Sequence, residues 1–447
     1  MVNQKLVNQY HRHMISGINI QKNSACLYAS CLSKCLHVYA LILLVFGLHN
    51  AEAKSKIYGI SYVIVTNNQP YKRINEILNI QSDSFYAPNK NLYPVVRQRN
   101  KNVVQQFCDN DNDGKWNFLL IEISLEANSI DTLEVKWLQK SELTSFNNKT
   151  NVRFSLKSKT SEPSPEIKSI TRSRGFMQDI ANPVYQLEGP GIENDKVAFR
   201  AFFDYRNGKD IYGKITPKPI LDNVGLLGSW HEMQPWGMDI LRVGKSLGAG
   251  ALAVKENNKI YQLGDADSSQ FTALYDGPLQ ASFQLKFIHW DAGSSKKNGS
   301  ETISVSQGDF FYKNNIILSL NSGQALVSGM ANFILDSATY TQHNSTLSSI
   351  STYGKQAEGS DSNLGLAIMF PTSDYSSHAT TLSTDSIPNT SYVALKPSSS
   401  KKTIYFFACW EKTDARFETE NGFKNYLQQT ATRLANPILV KLIHHKN

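Results

Sequence analysis

Cysteine is scarce in this sequence, and its spacing offers little to metal chemistry. Five cysteines occur in 447 residues, three of them near the N-terminus at Cys26, Cys31 and Cys35. Beyond residue 53 only Cys108 and Cys409 remain, enough for one disulfide at most, and no Cys/His spacing matches a zinc site. Long apolar runs are also missing: none approaches the roughly 18 residues that mark a membrane-spanning helix. Charged residues make up 19%, below the usual quarter, and no clustered basic stripe of the nucleic-acid-binding kind is present. Phosphate loops fail as well. Gly244-Lys245-Ser246 resembles the end of a Walker loop, but Asp239 stands where its leading glycine belongs. Gly244, Gly248 and Gly250 do not fall in the G-x-G-x-x-G order either.

What is present begins with a leader. Residues 38–48, "VYALILLVFGL", form an eleven-residue apolar run preceded by Lys5, Arg12, Lys22 and Lys34. Ala51-Glu52-Ala53 follows, a small-x-small cleavage pattern. Residues 1–53 therefore read as a signal peptide, and the mature chain as periplasmic or secreted, starting near Lys54 and free of membrane. The bland alternative is a buried hydrophobic helix. The formal charge of +8 falls to about +5 once the leader's four Lys/Arg and one Glu are removed. That excess suits an anionic partner such as an acidic oligosaccharide, and equally suits ordinary solubilising charge.

Strand patterns dominate the rest. "KIYGISYVIVTN" (56–67), "WNFLLIEISL" (116–125), "DTLEVKWL" (131–138) and "TIYFFACW" (403–410) are β-branched and aromatic. In "VAFRAFFDYR" (197–206) the alternation places Arg200, Phe202, Asp204 and Arg206 on one face. In "ASFQLKFIHW" (281–290) it points Phe283, Leu285 and Phe287 inward and sends Gln284, Lys286 and Trp290 elsewhere. A single helix is expected over 421–435, with Phe423, Tyr426, Leu427 and Leu434 as its stripe and Pro437 beyond its end. Many short strands joined by Gly, Asn, Asp and Ser turns predict an all-β fold, mainly antiparallel. The expected architecture is one large β-sandwich or super-sandwich over 54–447 with a C-terminal helix. Residues 54–145 are a candidate N-terminal sub-domain.

Two stretches carry chemistry. In "DNDNDGKWNFLL" (109–120), Asp109, Asp111, Asp113 and Gly114 match the first half of an EF-hand loop. They are candidate ligands for a structural calcium, with no other cofactor expected. The twelfth position, however, is Leu120 where a bidentate Glu is needed, and a short acidic turn accounts for the same letters. The second stretch, "GSWHEMQPWGMDILRVGKSLGAG" (228–250), crowds Trp230, His231, Glu232, Trp236, Asp239, Arg242 and Lys245 together. Aromatic faces cover the C–H surfaces of sugars, charged groups bind their hydroxyls and carboxylates, and histidine exchanges protons near neutrality. By composition alone, core packing of the tryptophans is the more economical reading.

A resemblance shifts that balance. The run "NPVYQLEGPGIENDKVAFRAFFDYRNGKDIYGKITPKPIL", followed by "WHEMQPWGMDILRVGKSLGAGAL", resembles a bacterial domain family of unknown function. Its members are encoded beside unsaturated-uronyl hydrolases in polysaccharide-utilisation clusters. "CDNDNDGKWNFLLIEIS", "GPLQASFQLKFIHW" and "ENGFKNYLQQTATRLANPILVKL" extend the similarity over nearly the whole chain beyond the leader. The family pattern falls here on Arg200, Asp204 with Arg206, Gly213 with Lys214, His231, and Asp239 with Arg242, where relatives often carry Lys. The resemblance implies a mutarotase-like β super-sandwich and elimination of water from uronic-acid-ended oligosaccharides, a carbon–oxygen lyase reaction. Such a reaction removes the proton alpha to a carboxylate, stabilises the enolate-like charge and helps a hydroxyl leave. Arg200, Lys214 and Arg242 are candidate carboxylate clamps, His231 the base or acid, and Asp239 or Asp204 its orienting group. His343 and Tyr353 are weaker candidates for the complementary proton donor. Trp230, Trp236 and Lys245 complete the expected sugar-binding set. A sugar epimerase or mutarotase, and a non-catalytic glycan-binding module, remain alternatives.

Overall fold

A computed structural model describes residues 60–443, except positions 86, 90, 180, 181, 227 and 336. All of these belong to one compact unit, Ile57–Asn447. The leader read at 1–53 lies outside the described residues. Among those described, no helix is long and apolar enough to cross a membrane.

The fold is an all-β sandwich of antiparallel sheets. Its spine has nine strands, in the order Thr339–Gln342, Leu347–Gly354, Leu364–Pro371, Lys401–Trp410, Phe311–Leu318, Ser295–Ser306, Gln280–Ala292, Ser268–Tyr275 and Ser169–Ser173. One face buries Phe271, Phe283, Leu285, Ile303 and Phe406 in the main core, together with Phe199, Leu252, Leu326 and Val393 from two other sheets. One of these sheets runs Lys259–Gln262, Ala249–Glu256, Gln324–Ala331, Thr390–Leu395, Tyr375–Thr380. The other runs Gly237–Asp239, Lys209–Lys214, Val197–Ala201, Gly191–Glu193, Asn151–Arg153.

The opposite face of the spine is covered by the helix Glu420–Ala435, close to the span its stripe predicts. Thr419 caps it by accepting a hydrogen bond from the Gly422 N–H. Phe423, Leu427 and Ala431 pack on Met369, Phe407 and Cys409. Residues near the N-terminus build around their own core, with Val63, Leu119, Ile121, Val135 and Trp137 at its centre. The last strand, Leu439–Ile443, returns to pair with Ile60–Asn67 there.

Two expectations need correction. Strand Val197–Ala201 ends five residues early, because the chain turns back within 202–208. The Asp204 carboxylate accepts the Arg206 N–H, the Asn207 N–H reaches Asp204 O, and Asn207 takes a positive φ of 43°. In Gln280–Ala292, a bulge between Phe287 and Trp290 resets the alternation, with His289 at φ 55°. Trp290 therefore turns inward, fully buried and stacked on Phe287 at 3.6 Å. The one disulfide open to Cys108 and Cys409 is not made: both are free thiols, buried in different apolar clusters.

Candidate functional site

Every residue of Val197–Ala201 and Lys209–Lys214 is buried, so the charges these strands carry must find partners inside. Register supplies them. Arg200 stands opposite Asp210, and Tyr212 opposite Asp239, which gathers all four on one face of three adjacent strands. The Arg200 guanidinium donates to Asp210 Oδ2 at 2.6 and 3.0 Å and to Asp239 Oδ2 at 3.3 Å. Its Nη1 lies 3.6 Å from Glu188 Oε1. The rings of Phe202, Tyr212 and Trp230 enclose it at 4.8–5.5 Å.

Arg206 extends the network, bonding Asp204 and reaching Glu188 Oε2 at 2.9 Å. Two guanidiniums thus face four carboxylates, and the excess of acid has a consequence at Asp239. Burial, followed by repulsion from Asp210, pushes its carboxyl well above the ordinary range against the pull of Arg200.

Asp239 also links this interior to the surface. Its N–H donates to Trp230 O at 2.7 Å, which holds the 230s loop against the sheet edge. Its Oδ2 lies 3.9 Å from His231 Nδ1. His231 is 68% exposed while Asp239 is 4% exposed, so an accessible imidazole sits on a buried carboxyl. The Trp230 indole N–H donates to His231 Nε2 at 3.0 Å. That bond assigns the acceptor role to Nε2 and places the neutral ring's proton on Nδ1, toward Asp239. Two glycines make this loop geometry accessible. Gly225, at φ 82°, lets Trp230 approach to where a Cβ would lie 2.6 Å from the indole, and Gly237, at φ 128°, lets its hairpin close on Gly213 O.

The remaining sequence candidates fall in several places. Trp230 and Trp236 are half-buried against Tyr212, Leu221 and Val224, so they pack while keeping an exposed edge. Lys214 is fully buried, donating to Glu193 Oε2 at 2.6 Å and to Asn194 O. Arg200 and Lys214 are therefore spent on interior carboxylates, and neither is free to clamp a substrate. Asp204, also fully buried, holds Arg206 and is not beside His231. His343 uses both ring nitrogens on Ser349 and Gln428, and Tyr353 donates to Phe417 O, both on the helix side of the spine. Asp109, Asp111 and Asp113 bring carboxylate oxygens within 4.8 Å of one another. Their turn is already cross-braced, Asp109 accepting the Asn112 and Gly114 N–H groups. Leu120, at the twelfth position, is buried in strand Phe118–Leu125.

Arg242 and Lys245 stay exposed at the surface. Arg242 lies over the Phe333 ring at 4.6 Å and lines a cavity of about 270 Å3 with Lys355, Gln356 and Glu358. The loop carrying those three residues also reaches the histidine. The Glu358 N–H donates to Ile240 O, and a Cβ on Gly359 would sit 3.2 Å from His231 O. Lys245 lines a separate cavity of about 370 Å3 with Tyr205 and Arg206. Participants without a motif in the sequence are Glu188, Asp210, Tyr212, Lys355 and Glu358. A signal existed for Asp210 alone, since a tight turn at 202–208 would place it opposite Arg200.

Among curated proteins the chain resembles the uncharacterized protein P7 of Formosa agariphila, 24% identical over 269 residues. That match covers 56% of this chain and 66% of the relative. Among solved structures it overlaps an alpha-mannosidase from Enterococcus faecalis V583, with a TM-score of 0.46 and 10% identity, over 86% of this chain and 46% of that one. A protein in the Glycosyl Hydrolase Family 38 from Enterococcus faecalis gives the same score and identity, over 86% and 47%. The chain thus spans about half the length of those structures. A family model covers residues 65–440, nearly the whole described unit, and the chain belongs to that family, Domain of unknown function (DUF4861).

Proposed function

We propose that this protein is an exported, carbohydrate-active enzyme that eliminates water from uronic-acid-ended oligosaccharides. The observation that supports it is the exposed His231 imidazole set on buried Asp239, its backbone packed on the loop that lines a cavity with Arg242, an arginine that has no carboxylate partner among the described residues. His231 is the proton-transfer group, taking the proton alpha to the carboxylate and returning it to the departing hydroxyl, so that water leaves as the carbon–carbon double bond forms. Its Nδ1 faces Asp239 Oδ2 at 3.9 Å and leaves Nε2 as the basic nitrogen, which substrate reaches by displacing the Trp230 indole.

Arg242 takes the clamp role that Arg200 and Lys214 cannot fill. Stacked on Phe333, it presents a planar fork suited to a carboxylate. Lys355, at the same cavity, is neutralised by Asp361 at 2.9 Å, and Glu358 also lines it, so Arg242 is the cation there without a carboxylate partner among the described residues. Charge that builds on the substrate carboxylate as the alpha proton leaves is stabilised there. A cavity of about 270 Å3 sits just below the roughly 300–1,000 Å3 range of small-molecule sites, in keeping with one terminal sugar residue.

The test is incubation of the full chain with a panel of uronic-acid oligosaccharides, followed by mass spectrometry and near-ultraviolet absorbance. Loss of one water with a new conjugated-uronate absorbance is the expected result. Isomerisation at constant mass would replace the proposal with an epimerase, and binding without any product would replace it with a glycan-binding module. Arg242→Ala should raise KM for the charged substrate, and esterifying the substrate carboxylate should reproduce that effect on the unaltered protein.

A further inference from the structure

A second cavity, of about 380 Å3, shares no lining residue with the one beside Arg242. Its walls come from strands Arg73–Gln81, Phe311–Leu318 and Lys401–Trp410 and from the end of the C-terminal helix at Arg433. Two of its cations are neutralised within the protein. Arg73 pairs with Glu76 at 2.7 Å, and Arg433 pairs with Asp309.

Lys313 is different. It lines the same cavity, half-buried, with no carboxylate partner among the described residues. Burial alone holds its pKa below the ordinary lysine range, with no neighbouring carboxylate raising it again. The cavity therefore presents one uncompensated ammonium beside two internally balanced pairs. A cation in that position is costly to keep unless something binds it.

Two further features narrow what that is. Gln307 lines the cavity and has a buried side-chain carbonyl oxygen with no hydrogen-bond partner among the described residues. An orphan acceptor of this kind needs a donor, and an ionised carboxylate supplies none. Tyr405, the register partner of Lys313, presents its ring to the cavity, set edge-on to Phe311 at 5.7 Å. Aromatic surface of that kind packs against the C–H face of a sugar.

We infer that this cavity is a second binding site, for a sugar acid whose single carboxylate sits on Lys313 while a hydroxyl donates to Gln307. The inference does not depend on the reading of His231, because the two sites are built from different residues.

The experiment is calorimetric titration of the full chain with glucuronate, glucose and inorganic phosphate. It is run on the unaltered protein, on Arg242→Ala, and on Arg242→Ala combined with Lys313→Met. Arg242→Ala removes the carboxylate holder of the other site, so the binding that survives reports on this one. Glucuronate should still bind Arg242→Ala with one site per chain, and adding Lys313→Met should weaken it about tenfold or more, as loss of a charged hydrogen bond implies. Glucose and phosphate should bind the Arg242→Ala protein more weakly than glucuronate does. Lys313→Met keeps side-chain length and removes an uncompensated charge, so an unfolding midpoint at or above that of the parent confirms that the variant is folded. Alone, it should leave turnover at the His231 site unchanged.

The inference is overturned if Arg242→Ala abolishes all glucuronate binding, or if Lys313→Met leaves the surviving affinity intact. Equal binding of glucose, or tighter binding of phosphate, would also overturn it, since each removes the sugar-acid assignment. None of these outcomes touches the elimination activity, which is read separately from product.

Discussion

Replacing Arg200 by methionine removes a buried guanidinium while keeping much of its bulk, and strands Asp210 and Asp239, whereas Glu188 keeps Arg206. Asp210, Asp239 and Glu188 all face it within 2.6–3.6 Å, and the arginine is 4% exposed. Breaking a buried ion pair by deleting one partner costs about 3–5 kcal/mol, and with two acids orphaned Arg200→Met belongs at the upper end. The cost must also depend on pH. Asp239 already has a raised pKa in the folded protein, from burial first and then from Asp210. A carboxyl raised on folding contributes stability that is fully present below its unfolded pKa, near 3.9 for aspartate, and is lost as pH rises through the folded value. Without Arg200 the carboxyls near it rise further, so the folded variant takes up protons that the unfolded chain does not. Urea unfolding at pH 5 and pH 8 should therefore show a larger deficit, relative to the parent, at pH 8. A deficit equal at both values, or below about 1 kcal/mol, would refute the claim that these carboxyls depend on Arg200.

Other perturbations probe different parts of the molecule. Trp290→Ala should cost about 3–5 kcal/mol in urea unfolding, because the bulge turns that ring into the main core; a cost under about 1 kcal/mol would contradict its burial. Trp230→Phe deletes the indole N–H that occupies His231 Nε2 and keeps most of the ring. His231 Nε2 should then lose its donor, read as a changed 15N chemical shift of that nitrogen by NMR, and an unchanged shift would contradict the bond. Mass spectrometry of protein recovered from the native envelope should find a chain beginning near Lys54, and an intact Met1 there would contradict export by cleavage.

Some of this was legible in the letters and some was not. The helix was, because Phe423, Tyr426, Leu427 and Leu434 stand at helical spacing before Pro437. The strand around Phe283 and Leu285 was legible up to its bulge, where a positive φ at His289 leaves no mark in the alternation itself. Buried charge was the harder matter. Arg200 and Lys214 look like surface letters, and only strand register shows that Asp210 and Glu193 meet them inside. The cavity at Arg242 was illegible for a related reason. Phe333, Lys355 and Glu358 come from strands and loops roughly a hundred residues beyond Arg242, and no local pattern ties them to it.

If His231, seated on Asp239, moves the proton, its loss must slow turnover. The measurement is turnover of His231→Gln on whichever uronic-acid oligosaccharide the unaltered protein consumes. The side chain is 68% exposed, so the fold should be unchanged by far-ultraviolet circular dichroism and substrate should still bind. The expected fall in kcat is about 10²–10⁴, the range for loss of a general acid or base. A kcat near that of the unaltered protein, with affinity unchanged, would contradict it and leave His231 as a loop residue that only packs against Trp230.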